Sequence, residues 1–258
     1  MKIVIPELDN PIIKEAIKSF PDLNFVQAPD LASAVALLEN GKADSFISGI
    51  DYPSRDVVLA CKDHIPLKSK YFSSCFVCER KNPITHQPEH FIIADGGINK
   101  QPNDDQLYCI VEDSANTFEA FYEEQPKIAM LSYSTYGSGG KNPDLDKIHS
   151  VIGRIRQDHP HWIIDGEMQL DAATRPEVAT KKTPESPLKG NANLLITPDL
   201  NSGNILYKSL ERFGGFHIAG PIIQGFAVPL ADLSRGSTVA DVILTIKVIQ
   251  KLYERNIK

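Results

Sequence analysis

Short β-branched runs alternate with amphipathic segments along almost the whole of this chain of 258 residues. That rhythm restricts it to parallel βαβ units, because each buried strand must return through a crossover helix. The spacing predicts strands at 2–6, 43–48, 72–77, 91–94, 127–132, 162–165, 194–197 and 217–223. Helices are predicted over 10–19, 31–39, 54–62, 104–122, 143–157, 202–213 and 239–254. In the last of these, Val239, Val242, Ile243, Ile246, Ile249 and Tyr253 recur at helical period, interrupted only by the polar Gln250. The expected fold class is α/β, and the length suits one large domain or two small ones with a sizeable core.

The net charge of −6 argues against a broad nucleic-acid surface, so an anionic ligand would need a local cluster of Arg, Lys and backbone N–H groups. No apolar run approaches the ~18 residues of a membrane span. Ile3-Val4-Ile5 is too short for the core of a signal peptide and is ended by Pro6-Glu7. The chain therefore reads as soluble and cytoplasmic. Cys75 and Cys78 form a C-x-x-C, but no second ligand pair follows, so buried free thiols in a strand are expected. His159 and His161 lack a partner at ligand spacing and read as surface residues ahead of Trp162.

Two stretches break the rhythm. Residues 81–89 carry Asn-Pro and Gln-Pro and read as a turn or hairpin connection. Residues 180–193, with Lys181, Lys182, Pro184, Pro187, Lys189 and Gly190, read as a solvated basic loop, or as a lid over an anion. Three strand ends then carry polar residues where ligands gather in open α/β sheets. Leu131-Ser-Tyr-Ser-Thr-Tyr-Gly-Ser-Gly-Gly140 sits between a strand and a helix, a favourable place for phosphate, but it fits neither the P-loop nor G-x-G-x-x-G. Asp165, Glu167 and Asp171 are open to two readings, as acid, base or metal ligands, or as caps that orient a turn. Asn201 and Asn204 either hydrogen-bond a ligand or fix their own turn.

Ala231-Asp-Leu-Ser-Arg-Gly236, followed by Asp241, brings a hydroxyl, a guanidinium and a carboxylate to one helix start. Such a set suits chemistry in which a nucleophile is deprotonated beside an anion. Thr238-Val-Ala-Asp241 also has the spacing of a capping box, so Asp241 is either a cap, a base, or both in different states.

In order along the chain, Ser-Tyr-Ser-Thr, Asp165-Gly-Glu-Met-Gln-Leu-Asp-Ala-Ala173, Pro198-Asp-Leu-Asn-Ser-Gly-Asn-Ile205, Gly220-Pro-Ile-Ile-Gln-Gly225 and Asp232-Leu-Ser-Arg-Gly236 resemble the phosphate acetyltransferase family and its acyl relatives. The likeness is nearly continuous from about Ser73 onward, and Ile3-Val-Ile-Pro-Glu7 and Ala43-Asp-Ser-Phe-Ile-Ser-Gly49 extend it to the beginning. Between those two, a piece of the family's first domain looks to be missing. The resemblance implies two α/β domains with mostly parallel sheets and an interdomain active-site cleft, usually in a homodimer. Residues 1–72 plus 229–258 would form a shortened first domain, and 73–228 the second. It implies acetyl transfer between coenzyme A and inorganic phosphate, with acetyl phosphate as product or substrate, no permanent cofactor, no obligatory metal, and neither nucleic acid nor membrane as partner. By the same resemblance Ser234 holds the thiol, Arg235 binds phosphate or developing negative charge, and Asp241 is the general base.

Binding contacts are expected from Ser134, Thr135, Gly137, Ser138, Asn204 and Arg55. An ordinary aspartate is ~4.6 pKa units more acidic than a thiol, so such a base needs a dry site or a concerted transfer. Three positions depart from the family: Ala231 replaces the usual Asn, Tyr136 the usual Lys, and the nearest arginine to Leu59 is Arg55, one turn away and ~6 Å along the axis. A phosphate butyryltransferase-like preference and a paralogue that binds CoA or acyl phosphate without turnover are the alternatives.

Overall fold

The computed structural model describes residues 1–257, which fall into two compact units, residues 1–72 with the segment from 216 onward and residues 73–215. In chain order the first unit opens with β1 (Lys2–Ile5), α1 (Pro11–Ile17), β2 (Asn24–Gln27), α2 (Leu31–Glu39), β3 (Ser45–Ser48) and α3 (Ser54–Lys62). The second comprises β4 (Ser73–Lys81), β5 (Pro88–Ala94), α4 (Asp104–Tyr122), β6 (Lys127–Leu131), α5 (Pro143–Asp158), β7 (Ile163–Met168), α6 (Leu170–Thr174), α7 (Pro176–Lys182), β8 (Leu194–Ile196) and α8 (Leu200–Gly214). The chain then returns to the first unit through β9 (His217–Gln224), β10 (Leu230–Asp232) and α9 (Val239–Asn256).

Within the first unit the strand order is β2-β1-β3-β10-β9, parallel except where β9 meets β10. Within the second it is β4-β5-β8-β6-β7, parallel except for the β4–β5 hairpin. Parallel strands flanked by helices must be apolar on both faces, which is why Ile3–Ile5, Phe46–Ile47, Ile128–Met130 and Leu194–Ile196 are all buried. Parallel pairing also places successive strand ends on one edge. In the first unit that edge gathers the segments after β1, β3 and β10; in the second, those after β5, β6, β7 and β8.

The helix starts follow from side-chain caps. Asn10, Asp30, Asn103, Asn142, Asp199 and Thr238 each accept a hydrogen bond from a first-turn backbone N–H. The spans of α2, α3 and α4 coincide with the helical periodicity, and residues 82–87 join β4 to β5 as a hairpin. β2, β10, α6 and α7 carry no readable period, because each is three to seven residues long.

The stretch at 180–193 starts inside α7. Its lysines are partly engaged, Lys182 Nζ by Asp171 (2.8 Å) and Gln169 (2.9 Å), and Lys189 Nζ by the Pro184 carbonyl (2.8 Å). α9 buries more than its periodic stripe, since Leu244, Thr245 and Val248 are also enclosed, with β9 and α1 packed against the helix. All four cysteines are buried free thiols, Cys75 and Cys78 among them on β4. Among the described residues no helix is long and apolar enough to cross a membrane, and no cluster of His, Cys, Asp or Glu has the makings of a metal site.

Candidate functional site

In the first unit the strand ends are built around two carboxyl groups. Glu7, just beyond β1, accepts from Ser48 Oγ (2.8 Å) and the Gly49 amide (2.8 Å). The end of β3 is thereby clamped to the end of β1. Leu233 N donates to the Ser48 carbonyl (2.5 Å), so the segment after β10 lies against the same place. Gly49 has φ +108°, and a Cβ there would collide with Asp232 Oδ1 and come within 2.6 Å of the Leu233 carbonyl. Only glycine allows this approach.

Asp232 fills the space beside that glycine and is 1% exposed, and neither of its carboxyl oxygens has a hydrogen-bond partner among the described residues. Burial pushes its pKa up to about 7; the Ser54 hydroxyl tempers the rise without meeting hydrogen-bond geometry, and the Glu7 charge adds to it. On α3, burial and the Asp232 charge together push the Cys61 thiol up to about 12.

Beyond Asp232 the chain turns outward. Ser234 is half-buried and Arg235 exposed, and the turn closes through Ser237 N donating to the Ser234 carbonyl (2.9 Å) and Gly236 N to Ser234 Oγ (3.3 Å). α9 begins at once with a complete capping box. Thr238 Oγ1 accepts from Asp241 N (3.3 Å), and Asp241 Oδ2 accepts from Thr238 N (2.7 Å) and Thr238 Oγ1 (2.6 Å). Asp241 Oδ1 accepts from Ile218 N on β9 (2.9 Å), with His217 Nδ1 3.6 Å away. The carboxylate is buried and ties the helix start to β9, so in this conformation Asp241 is a cap. Arg55 lies exposed on the second position of α3, in the same unit as Ser234, Arg235 and Asp241.

In the second unit the organising group is Glu167, at 0% exposure on β7. Its Oε1 accepts from Ser134 Oγ (2.7 Å) and the Gly137 amide (2.7 Å), and its Oε2 meets His149 Nε2 on α5. Burial opposes ionisation of Glu167, but these donors outweigh it and hold the carboxyl below its ordinary value. Ser134, Thr135, Gly137 and Ser138 are thus gathered in one loop. Gly139 N donates to Ser134 Oγ (2.8 Å), Thr135 N to Ser138 Oγ (2.9 Å), and Ser138 N to the Thr135 carbonyl (3.1 Å).

Most amides expected to cradle phosphate are therefore spent on the loop's own shape. Tyr136 donates its hydroxyl to Asp165, which also receives Arg156 (3.0 Å); burial and that carboxylate push the phenol up to about 12. In this structure Glu167 and Asp165 hold the loop, and Asp171 pairs with Lys182 (2.8 Å). Asn204, the fifth residue of α8, donates to the Gly96 carbonyl (3.1 Å) and so fixes the segment after β5. That segment is wound on Asp95, which accepts from the amides of Gly97, Ile98 and Asn99 and from Ser74 Oγ.

Asp95 and His149 escape a reading by motif, and Glu7 and Asp232 lie inside quoted motifs without being singled out. Position just past a strand was the available signal for Glu7 and Asp95; nothing local marks His149, or the burial of Asp232.

Both units are therefore α/β layers with polar clusters on the carboxyl edge of mostly parallel strands, the class of protein that seats ligands at strand ends. The family model described as phosphate acetyl/butaryl transferase matches residues 13–249, and the chain belongs to that family. The phosphate acetyltransferase of Treponema pallidum (strain Nichols) is 38% identical over 217 residues, which are 83% of this chain and 65% of the relative. That of Bacillus subtilis (strain 168) is 38% identical over 208 residues, 80% of this chain and 62% of its own. The chain thus spans just under two thirds of the length of these curated relatives. A solved phosphotransacetylase from Streptococcus pyogenes superposes with a TM-score of 0.86 at 29% identity, covering 99% of this chain and 94% of the other.

Proposed function

We propose that this chain moves an acetyl group between coenzyme A and inorganic phosphate. The observation that carries the reading is the turn at Ser234 and Arg235. An exposed guanidinium stands there between the end of β10, which Leu233 N ties to the Ser48 carbonyl, and the Asp241 capping box of α9. An exposed guanidinium suits a phosphoryl group as a bidentate donor. In the acetyl phosphate direction, the CoA sulfur bonds to the acetyl carbon and the bond from that carbon to the phosphate oxygen breaks. Phosphate leaves with the electron pair, and the thiol proton passes to a base and finally to phosphate.

Arg235 would stabilise the charge on the carbonyl oxygen and on the departing phosphate, and Ser234 would hydrogen-bond the thiol. Asp241 completes the set as the candidate base. To accept a proton, its carboxylate must first give up Thr238 or Ile218. Ser134, Thr135, Gly137, Ser138, Asn204 and Arg55 are the proposed binding residues. CoA enters as substrate with no resident cofactor, and a cytoplasmic homodimer is the proposed setting.

Thioester formation from CoA with acetyl phosphate and with butyryl phosphate, measured side by side, tests the reading. Turnover is expected with both and faster with acetyl phosphate. Faster turnover of butyryl phosphate would move the chain to the butyryl side of its family. Calorimetric CoA binding without turnover would identify a binding paralogue.

A further inference from the structure

Asp232 is the one polar side chain at the first unit's strand ends that is buried beside another carboxyl group with both oxygens unpartnered among the described residues. An unpaired buried carboxylate is costly, and proteins neutralise such groups or keep them where function requires it. Asp232 faces Glu7 beyond β1, the Ser54 hydroxyl and Cys61 thiol of α3, and the backbone of Gly49 and Leu233. Glu7 is itself held by the Ser48 hydroxyl and the Gly49 amide, so it offers Asp232 a second negative charge and no donor. Ionised, Asp232 meets the Glu7 charge with only the Ser54 hydroxyl and the Cys61 thiol near it, and neither is placed to donate; relief therefore comes from a shift at the end of β10. Ser234 and Arg235 lie two and three residues further on.

We propose that Asp232 is a positioning residue whose neutral acid form seats the Ser234–Arg235 turn and whose ionisation unseats it. The proposal rests on the acyl-transfer reading above. The acid form stabilises the folded chain below the carboxyl's unfolded pKa of ~4, and that contribution is lost as pH rises towards about 7, the folded value.

Asp232→Asn keeps the shape and neutrality of the acid at every pH, and it is tested by thermal melts and kcat/KM with CoA and acetyl phosphate from pH 5 to 8.5. The variant's advantage in melting temperature over wild type is expected to be smallest at pH 5 and at least ~5 °C larger at pH 8. The ratio of variant to wild-type kcat/KM is expected to lie near one at pH 6 and to reach about tenfold at pH 8, where ~9% of a group titrating at 7 stays neutral. A purely structural role would raise the melting temperature and leave that ratio flat; a flat ratio overturns the proposal. So does loss of turnover at pH 6 in a folded variant, since the carboxyl itself would then be required. Absence of wild-type turnover at every pH overturns the acyl-transfer reading, and the positioning role falls with it.

Discussion

Asp241→Asn is expected to destabilise the chain by about 2–4 kcal/mol and to slow acetyl transfer more than tenfold even where the protein is fully folded. The stability loss has two sources. A weakened cap costs ~1 kcal/mol. The amide of the substituted side chain must also point an N–H₂ at either Ile218 N or Thr238 N, leaving a buried donor unsatisfied at about 1–3 kcal/mol. Thr238→Ala is the control. It removes the hydroxyl from the capping box but leaves the carboxylate in place, so its stability loss should be ~1 kcal/mol. If Asp241 acts only as a cap, activity in the two variants follows stability. If it also takes the thiol proton, Asp241→Asn loses far more kcat than Thr238→Ala at a temperature where both are folded. Equal activity in the two would remove Asp241 from the proposed catalytic set.

Glu167→Gln carries the second large effect, about 3 kcal/mol at neutral pH, or roughly 6–12 °C in melting temperature. The carboxylate accepts from Ser134, Gly137 and His149, and an amide in its place must present N–H₂ to one of those donors. Because the folded pKa of Glu167 is depressed, its contribution is present above the ordinary glutamate value near 4.3 and disappears as pH falls through the lower folded value. The gap between variant and wild type should therefore shrink below about pH 4. Amide exchange at Gly137 and Gly139 should rise in the variant, because both amides are held by this cluster. An unchanged melting temperature at pH 7, or a gap that widens in acid, would contradict the role given to Glu167. His149→Ala should cost less, since that side chain is 52% exposed.

These two residues also mark how far the sequence could be read. The Thr-x-x-Asp spacing discloses a capping box without any structure, because both partners lie within one helical turn. The tie from Asp241 to Ile218 spans 23 residues and depends on β9 packing under α9. Glu167 stood out as acidic at a strand end, yet its partners sit 30 and 33 residues away on another strand's loop and 18 away on α5. No spacing rule joins them, so cap, acid, base and metal ligand remained open. β10 is three residues long and lies between two loops, and it becomes a strand only by pairing with β3 and β9. Asp232 was in plain view within a recognisable motif. What distinguishes it is the closeness of Gly49 and Glu7, which only the tertiary fold supplies.

The most direct measurement is acetyl-CoA formation from CoA and acetyl phosphate by wild type and Arg235→Ala, with circular dichroism to match the folded fractions. Arg235 is exposed, so the substitution should leave the melting temperature within about a degree. Loss of a charge-stabilising donor of this kind lowers turnover by about 10²–10³-fold. A wild-type chain that turns over, beside a folded variant slowed to that extent, is the predicted result. Equal rates in the two proteins would contradict the account.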